Sequence, residues 1–124
     1  MADIGGKWTY TGAAMQTDGT RLYAFTARVT IAPAGEAGAV HVILETDQKD
    51  SRSVSAAAVP RPLPGGGVVL LYDYAADPAH AATATHDFFG MVRLTFASDG
   101  RSAKGSYMNF KGRYTCGECR LERA

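Results

Sequence analysis

Aromatic rings and hydrogen-bonding groups alternate along three stretches of this sequence, in a pattern that suits a flat, polar ligand. The paired positions are Trp8 and Tyr10, Tyr72 and Tyr74, and Tyr107 and Asn109. Because side chains two residues apart in a β-strand point to the same side, each pair occupies one face of a predicted strand. Indole and phenol rings stack on nucleobases, each contributing about 1–3 kcal/mol. We therefore expect these faces to meet in one cavity that stacks a base, with a packed aromatic core as the alternative.

A cation and further hydroxyl groups extend this predicted cavity. Arg113 and Thr115 lie two residues apart in the last predicted strand, where a guanidinium can form two parallel hydrogen bonds to phosphate oxygens. Ser53 and Ser55 share a face of the fourth predicted strand. A solvated arginine at the rim and small polar wall residues are the alternative interpretations. The predicted ligand-binding residues are Trp8, Tyr10, Ser53, Tyr72, Tyr74, Tyr107, Asn109, Arg113 and Thr115.

Sequence motifs for catalysis are missing. The chain has no Gly-x-Ser-x-Gly elbow, phosphate-binding loop or His-Glu-x-x-His motif, and His86 and Asp87 would point to opposite faces of a strand. Cys116 and Cys119 supply at most two of the four ligands of a structural zinc site. The histidines, which lack the spacing of a zinc finger, are His41, His80 and His86. We predict a protein without enzymatic activity, cofactor or metal, whose two thiols are reduced.

Length and charge limit the class of protein. The chain has 124 residues, 46% of them apolar, which predicts one domain over residues 1–124. With 13 Lys and Arg against 12 Asp and Glu, the net charge of +1 provides no general attraction to DNA, RNA or lipid. The apolar runs are too short to cross a bilayer. We expect a soluble, cytoplasmic domain that makes no membrane contact of its own.

Short β-rich runs separated by turn signals make up the chain. The predicted strands span residues 7–12, 21–31, 40–46, 51–59, 67–75, 88–97, 103–110 and 113–123. Asp18-Gly19 and Asp99-Gly100 are typical of hairpin turns, and the prolines of residues 60–64 indicate a stiff, exposed connection. Residues 76–87 have the composition of one short helix, although Pro78 disfavours it.

Eight strands with mostly hairpin-length links predict an all-β fold. Closing the sheet removes unpaired edges, so we expect a compact, mostly antiparallel, up-and-down barrel of the lipocalin-like kind, with a two-sheet sandwich as the alternative. An eight-stranded barrel encloses either side chains or one small ligand. The aromatic faces described above would lie inside it.

An ordered set of short motifs runs through nearly the whole chain. The set is Trp8-x-Tyr10-x-Gly12, Ser51-x-Ser53-x-Ser55, Leu71-Tyr72-x-Tyr74, Gly90 at the start of a strand, Gly105-x-Tyr107, Arg113-x-Thr115-x-Gly117 and Leu121-x-Arg123. It resembles the β-barrel domain of the SMODS-associated two-transmembrane, β-strand-rich effectors of bacterial CBASS anti-phage systems. The resemblance implies a sensor for a cyclic dinucleotide made by a CD-NTase. The positions carried over as ligand contacts are Trp8, Tyr10, Tyr72, Tyr74, Tyr107, Arg113 and Thr115.

The resemblance also sets expectations about partners. The family normally carries two membrane helices ahead of its barrel, which anchor it at the inner membrane. This chain has no such helices, so we expect either an excised domain or a barrel with a different output. Binding of the ligand is expected to be linked to homo-oligomerisation. Two other functions stay open: a lipocalin-like carrier of a small apolar molecule, and an interaction module using outward Met91, Met108 and Phe110.

Overall fold

Strands dominate the structure. The computed structural model describes residues 3–16, 18–35, 38–46, 52–77, 89–111 and 115–124. Within these ranges the chain forms nine β-strands and no helix. The strands are β1 (Gly6–Gln16), β2 (Arg21–Pro33), β3 (Val40–Thr46), β4 (Arg52–Ser55), β5 (Arg61–Pro62), β6 (Val68–Ala76), β7 (Phe89–Phe96), β8 (Ser102–Lys111) and β9 (Thr115–Arg123).

Eight of these strands close into an antiparallel barrel. Their order is β4-β3-β2-β1-β9-β8-β7-β6, and the pairing of β4 with β6, which sets Ser53 opposite Ala76, closes the ring. The predicted all-β, eight-stranded antiparallel barrel is therefore confirmed. None of the described segments contains a helix long and apolar enough to cross a membrane.

The predicted hairpin turns are present where the chain needs them. Gly19 has a φ of +91°, which favours glycine, and the Thr20 amide donates to the side chain of Asp18 at 2.8 Å. The same type of contact, from the Arg101 amide to Asp99 at 3.0 Å, forms the turn between β7 and β8. These turns hold β1 against β2 and β7 against β8, and so help to fix the register of the barrel.

The region after β4 differs from the prediction. The fourth strand ends at Ser55 instead of residue 59, and Ala58 makes only an isolated bridge to Val40. The expected exposed connection contains the short strand β5, which pairs with Val68 and Val69 at the start of β6. Pro62 is tolerated there because an edge strand pairs on one side only. The helix expected near residues 76–87 has no counterpart at Ala76, the last residue of β6, and residues 78–88 lie outside the described ranges.

The lumen is apolar at one end and rich in tyrosine at the other. We call the end where β1 begins and β9 ends the Trp8 end; its fully buried side chains are Trp8, Phe96, Ile31, Leu70, Leu94, Leu121, Val29, Val42 and Val68. At the opposite end, where β1 ends and β9 begins, the inward positions belong to Phe25, Tyr74, Tyr107, Asn109 and Thr115. We call this the tyrosine end. The hydrocarbon half supplies a core, and the other half supplies hydrogen-bonding groups.

Candidate functional site

Strand alternation points the predicted tyrosines into the lumen. Tyr10, Tyr72 and Tyr107 are 3%, 6% and 7% exposed, while their neighbours along each strand face outward. Tyr74 is half-buried and packs against the core cluster. Because Tyr72 and Tyr74 follow Leu70 along β6, the lumen changes from hydrocarbon to phenol in the direction of the tyrosine end. The structure therefore brings these four tyrosines together.

A chain of hydrogen bonds joins three of the predicted site residues across β6, β8 and β9. The Tyr74 hydroxyl donates to Oδ1 of Asn109, and Nδ2 of Asn109 donates to Oγ1 of Thr115 at 2.8 Å. Both bonds fix the orientation of the Asn109 amide. The Tyr107 hydroxyl donates to the carbonyl of Ala13 on β1 at 3.0 Å. These contacts hold polar groups in set positions around the tyrosine end.

Three of the aromatic rings at this end lie directly opposite a glycine on a neighbouring strand. The register pairs are Phe25 with Gly12, Tyr74 with Gly90 and Tyr107 with Gly117. A Cβ added at Gly90 would clash with the carbonyl oxygen of Met108 and lie 2.6 Å from Cζ of Tyr74, and one at Gly117 would clash with the carbonyl oxygen of Ala13 and lie 3.0 Å from Cε1 of Tyr107. The missing side chains thus leave the space that the rings occupy against the barrel wall.

Phe25 and Tyr23 belong to the same cluster, although sequence reasoning did not include them. Phe25 stacks on Tyr10 with ring centroids 5.6 Å apart and meets Tyr107 edge-on at 6.2 Å. Tyr23 lies 6.1 Å from Phe25 and is 37% exposed, toward the rim. The signal was present, because Tyr23, Phe25 and Ala27 continue the inward alternation of Val29 and Ile31.

The Trp8 ring contacts groups at the Trp8 end of the lumen, whereas we expected it among the tyrosines; its role as a ligand contact stays a prediction. Its ring meets Phe96 edge-on at 5.2 Å, and its Nε1 donates to the carbonyl of Ile4 at 3.0 Å. The guanidinium carbon of Arg123 lies 4.1 Å from the centre of the indole. Trp8 therefore packs in the hydrocarbon half of the lumen.

The serines and Arg113 complete the predicted set. Ser53 and Ser55 are each 7% exposed; in register, Ser53 lies opposite Ala76 and Ser55 lies opposite Tyr74. Oγ of Ser55 accepts a hydrogen bond from the amide of Val42 at 2.8 Å, which gives this side chain a structural role. Arg113 lies outside the described residues, so its position relative to Asn109 and Thr115 stays a prediction.

The phenols in the lumen of the tyrosine end are uncharged, and the ion pairs of Arg52 with Glu45 and Asp77 lie where β3, β4 and β6 meet at the same end of the barrel. Burial raises the pKa of Tyr10, Tyr72, Tyr74 and Tyr107 above the ordinary value of 10.0, and neighbouring phenols and thiols raise it further. All four phenols are thus uncharged hydrogen-bonding groups at physiological pH. We call the inward side chains of the tyrosine end the cup: Phe25, Tyr74, Tyr107, Asn109 and Thr115 supply rings, hydroxyls and an amide, and none of these five side chains is charged.

The two cysteines do not form a common site. Gly117, Cys119 and Leu121 are buried on the inner face of β9, so Cys116, three residues before Cys119, points outward. Both thiols are free. Cys119 hydrogen-bonds the Tyr10 hydroxyl, and burial raises its pKa. Among the described residues, no three His, Cys, Asp or Glu side chains are grouped to hold a metal ion.

Comparison with known proteins adds one match. The family model described as Cap15, cyclic dinucleotide receptor domain, matches residues 1–123. No protein with curated annotation matches the chain. The matched range includes every strand of the barrel and both ends of its lumen, so it concerns the whole fold instead of a single motif.

Proposed function

Since the chain belongs to the Cap15 cyclic dinucleotide receptor domain family, and so is a cyclic dinucleotide sensing domain of a CBASS effector, we propose that its ligand binds in the tyrosine end of the barrel. The observation that carries this proposal is the hydrogen-bonded chain of Tyr74, Asn109 and Thr115. It lies at the end of the lumen where the inward side chains carry hydroxyl and amide groups. Polar groups held in place there are suited to orient a polar ligand.

The bases stack on the aromatic rings of this end. Phe25, Tyr74 and Tyr107 carry rings on three different strands, each supported by a glycine opposite. Stacking contributes about 1–3 kcal/mol per base and tolerates different bases, so the rings supply affinity. Specificity comes from the Asn109 amide and the Thr115 and Ser53 hydroxyls, whose hydrogen bonds depend on the edge of the base presented to them.

The phosphates are held mainly by neutral donors. Each phosphodiester carries a negative charge, and the described side chains of the cup carry none, so hydroxyl and amide groups bind the phosphate oxygens. Arg113 precedes Thr115 by two residues in the sequence, and we expect its guanidinium to add a charge-assisted hydrogen bond to a phosphate oxygen. We expect affinity to fall as ionic strength rises, because salt screens the attraction between a guanidinium and a phosphate.

Calorimetric titration with a panel of cyclic di- and trinucleotides tests the proposal. Asn109→Ala should weaken binding about tenfold, because one lost hydrogen bond is worth about 1–1.5 kcal/mol. Arg113→Ala should weaken binding and flatten its salt dependence, whereas Arg120→Ala, on the exposed outer face of β9, serves as the matched control. A panel that gives no heat and no thermal shift, or affinity that ignores Asn109, would contradict the proposal.

The remaining parts of the proposal concern what surrounds the barrel. We expect the chain to bind its ligand without altering it, which recovery of unchanged ligand after incubation would check. Resemblance to the two-transmembrane effectors supports a CD-NTase as the source of the ligand, a cytoplasmic barrel, and membrane helices in full-length relatives. Sedimentation with and without ligand would test whether binding drives homo-oligomerisation.

A carrier of a small apolar molecule is not favoured. A dry cup would suit such a ligand, but the tyrosine end contains the polar chain from Tyr74 to Thr115. A carrier would instead bind an apolar fluorescent probe, and its affinity for the probe would be the same with and without the Asn109→Ala substitution.

A further inference from the structure

Four sulfur-containing side chains form a row across the outer wall of the barrel. Cys116 on β9 is in register with Met15 on β1 and with Met108 on β8, and Met108 is in register with Met91 on β7. All four face outward: Met91 and Met108 are 40% and 44% exposed, and Met15 and Cys116 are half-buried. The row crosses four neighbouring strands in the order Met15, Cys116, Met108 and Met91.

The register of the row places three of these side chains side by side on neighbouring strands. Side chains directly opposite each other on antiparallel strands have Cβ atoms about 4.5–5.5 Å apart. Cys116 is the middle member of Met15, Cys116 and Met108, and the two methionine side chains are flexible enough to bend toward it from either side. Met91 lies two strands from Cys116, roughly 10 Å away, and is too distant to join them.

The donors and their surroundings select a soft, monovalent metal. Thiolate and thioether sulfur prefer Cu(I) among biological metals, whereas Mg²⁺ and Ca²⁺ require oxygen. The ring pair Phe89 and Phe110, with centroids 6.1 Å apart, lies on the same outer face two residues beyond Met91 and Met108 along β7 and β8. Cu(I) bound to one thiolate and two thioethers is neutral overall, which suits an environment of rings and methyl groups.

We propose that Met15, Cys116 and Met108 form a binding site for Cu(I) on the outer wall of the barrel, separate from the ligand cup. On binding, the Cys116 thiol loses its proton to solvent as the copper–sulfur bond forms, and the two thioethers add as neutral donors. No electron is transferred, since the ion arrives and stays as Cu(I). The proposal is independent of the proposed function, because these side chains point away from the lumen.

Anaerobic titration with Cu(I), in competition with a chromophoric Cu(I) chelator, tests the site. One ion per chain is expected, and Cys116→Ser should abolish its binding. Met15→Leu and Met108→Leu preserve volume and fold, and each should weaken binding about 10-fold or more, in line with losses seen when metal sites are disturbed. Met91→Leu, in the same row but one strand further, is the matched control and should leave affinity unchanged.

A redox-inert probe gives a second readout. Addition of Ag(I) should shift the ε-methyl NMR signals of Met15 and Met108 and leave that of Met91 in place. Binding that ignores both Met→Leu changes would show a simple thiolate adduct and overturn the proposal, as would dependence on Cys119 or no binding at all. The leucine variants keep the test decisive even if a change at Cys116 disturbs folding.

Discussion

Replacing Arg123 by alanine should destabilise the barrel and leave its affinity for a cyclic dinucleotide unchanged. Arg123 is the last residue of β9, and its guanidinium carbon lies 4.1 Å from the centre of the Trp8 ring. Its Nε donates to the carbonyl of Gly100 at 3.0 Å, and its other nitrogens donate to the carbonyls of Gly5 and Asp3. One side chain therefore ties together the end of β9, the turn between β7 and β8 and the segment before β1.

The size of the effect follows from these contacts. A cation over an indole at an accessible site is worth about 0.5–1 kcal/mol. The half-buried bond to Gly100 adds about 1–1.5 kcal/mol, and the two exposed bonds add little because water competes for them. The sum is about 2 kcal/mol, which corresponds to a fall in Tm of roughly 8 °C for a chain of this size.

Thermal and urea denaturation of matched variants would measure it. Arg120→Ala removes an exposed cation from the outer face of the same strand and should change stability by less than about 0.5 kcal/mol. Arg123→Lys keeps a charge over the ring but cannot reach all three carbonyls. Its free energy of unfolding should therefore lie between those of Arg120→Ala and Arg123→Ala. Unchanged stability for Arg123→Ala, or lost ligand affinity with stability intact, would refute the assignment of Trp8 and Arg123 to structure.

Two further predictions concern the tyrosine end. Gly90→Ala places a Cβ against the carbonyl oxygen of Met108 and 2.6 Å from Cζ of Tyr74, so both the β8 backbone and the Tyr74 ring must shift; we expect a loss of about 3 kcal/mol in unfolding free energy and weaker ligand binding. Gly5→Ala, whose nearest contact would be 3.3 Å, is the control, and equal effects of the two would contradict the prediction. The raised pKa of Tyr10 and Tyr72 keeps both protonated in the folded state, so stability should hold up to about pH 10 and then fall by about 1.4 kcal/mol per pH unit for each tyrosine. Tyrosinate absorbance should rise cooperatively with unfolding; gradual ionisation of all tyrosines in a folded protein would disprove this.

Alternation alone was enough to predict which residues face the lumen. Tyr10, Tyr72, Tyr107 and Asn109 point inward because the two-residue period holds along each strand of the closed sheet. Alternation carries no information about height along the barrel axis, which depends on strand tilt and register. For this reason Trp8, on the same face as Tyr10, was expected beside the tyrosines and instead packs with Phe96.

The glycines opposite the aromatic rings could be recognised only from the register of the paired strands. The sequence spacing of Gly90 and Tyr74, or of Gly117 and Tyr107, does not show that each glycine lies opposite its ring. The two strands that carry each pair could align in more than one register. The opposite orientations of Cys116 and Cys119 were predictable, since residues three apart in a strand face different sides. Alternation could not predict the sulfur row, because its members come from four strands whose register the sequence does not give.

The paired glycines and hydrogen bonds affect the cost of binding as well as the shape of the cup. A flexible side chain that becomes ordered on binding costs about 0.5–1.5 kcal/mol, which is subtracted from the affinity. Before any ligand arrives, Tyr74 lies in the space beside Gly90 and is hydrogen-bonded to Asn109, and Tyr107 lies beside Gly117 and is hydrogen-bonded to the carbonyl of Ala13. The hydrocarbon half of the lumen supplies the stability that allows polar groups to be kept in place at the other end. Because the rings are ordered in advance, most of the stacking energy is available as binding free energy. Changes that loosen a ring should therefore reduce the free energy of ligand binding more than the free energy of unfolding.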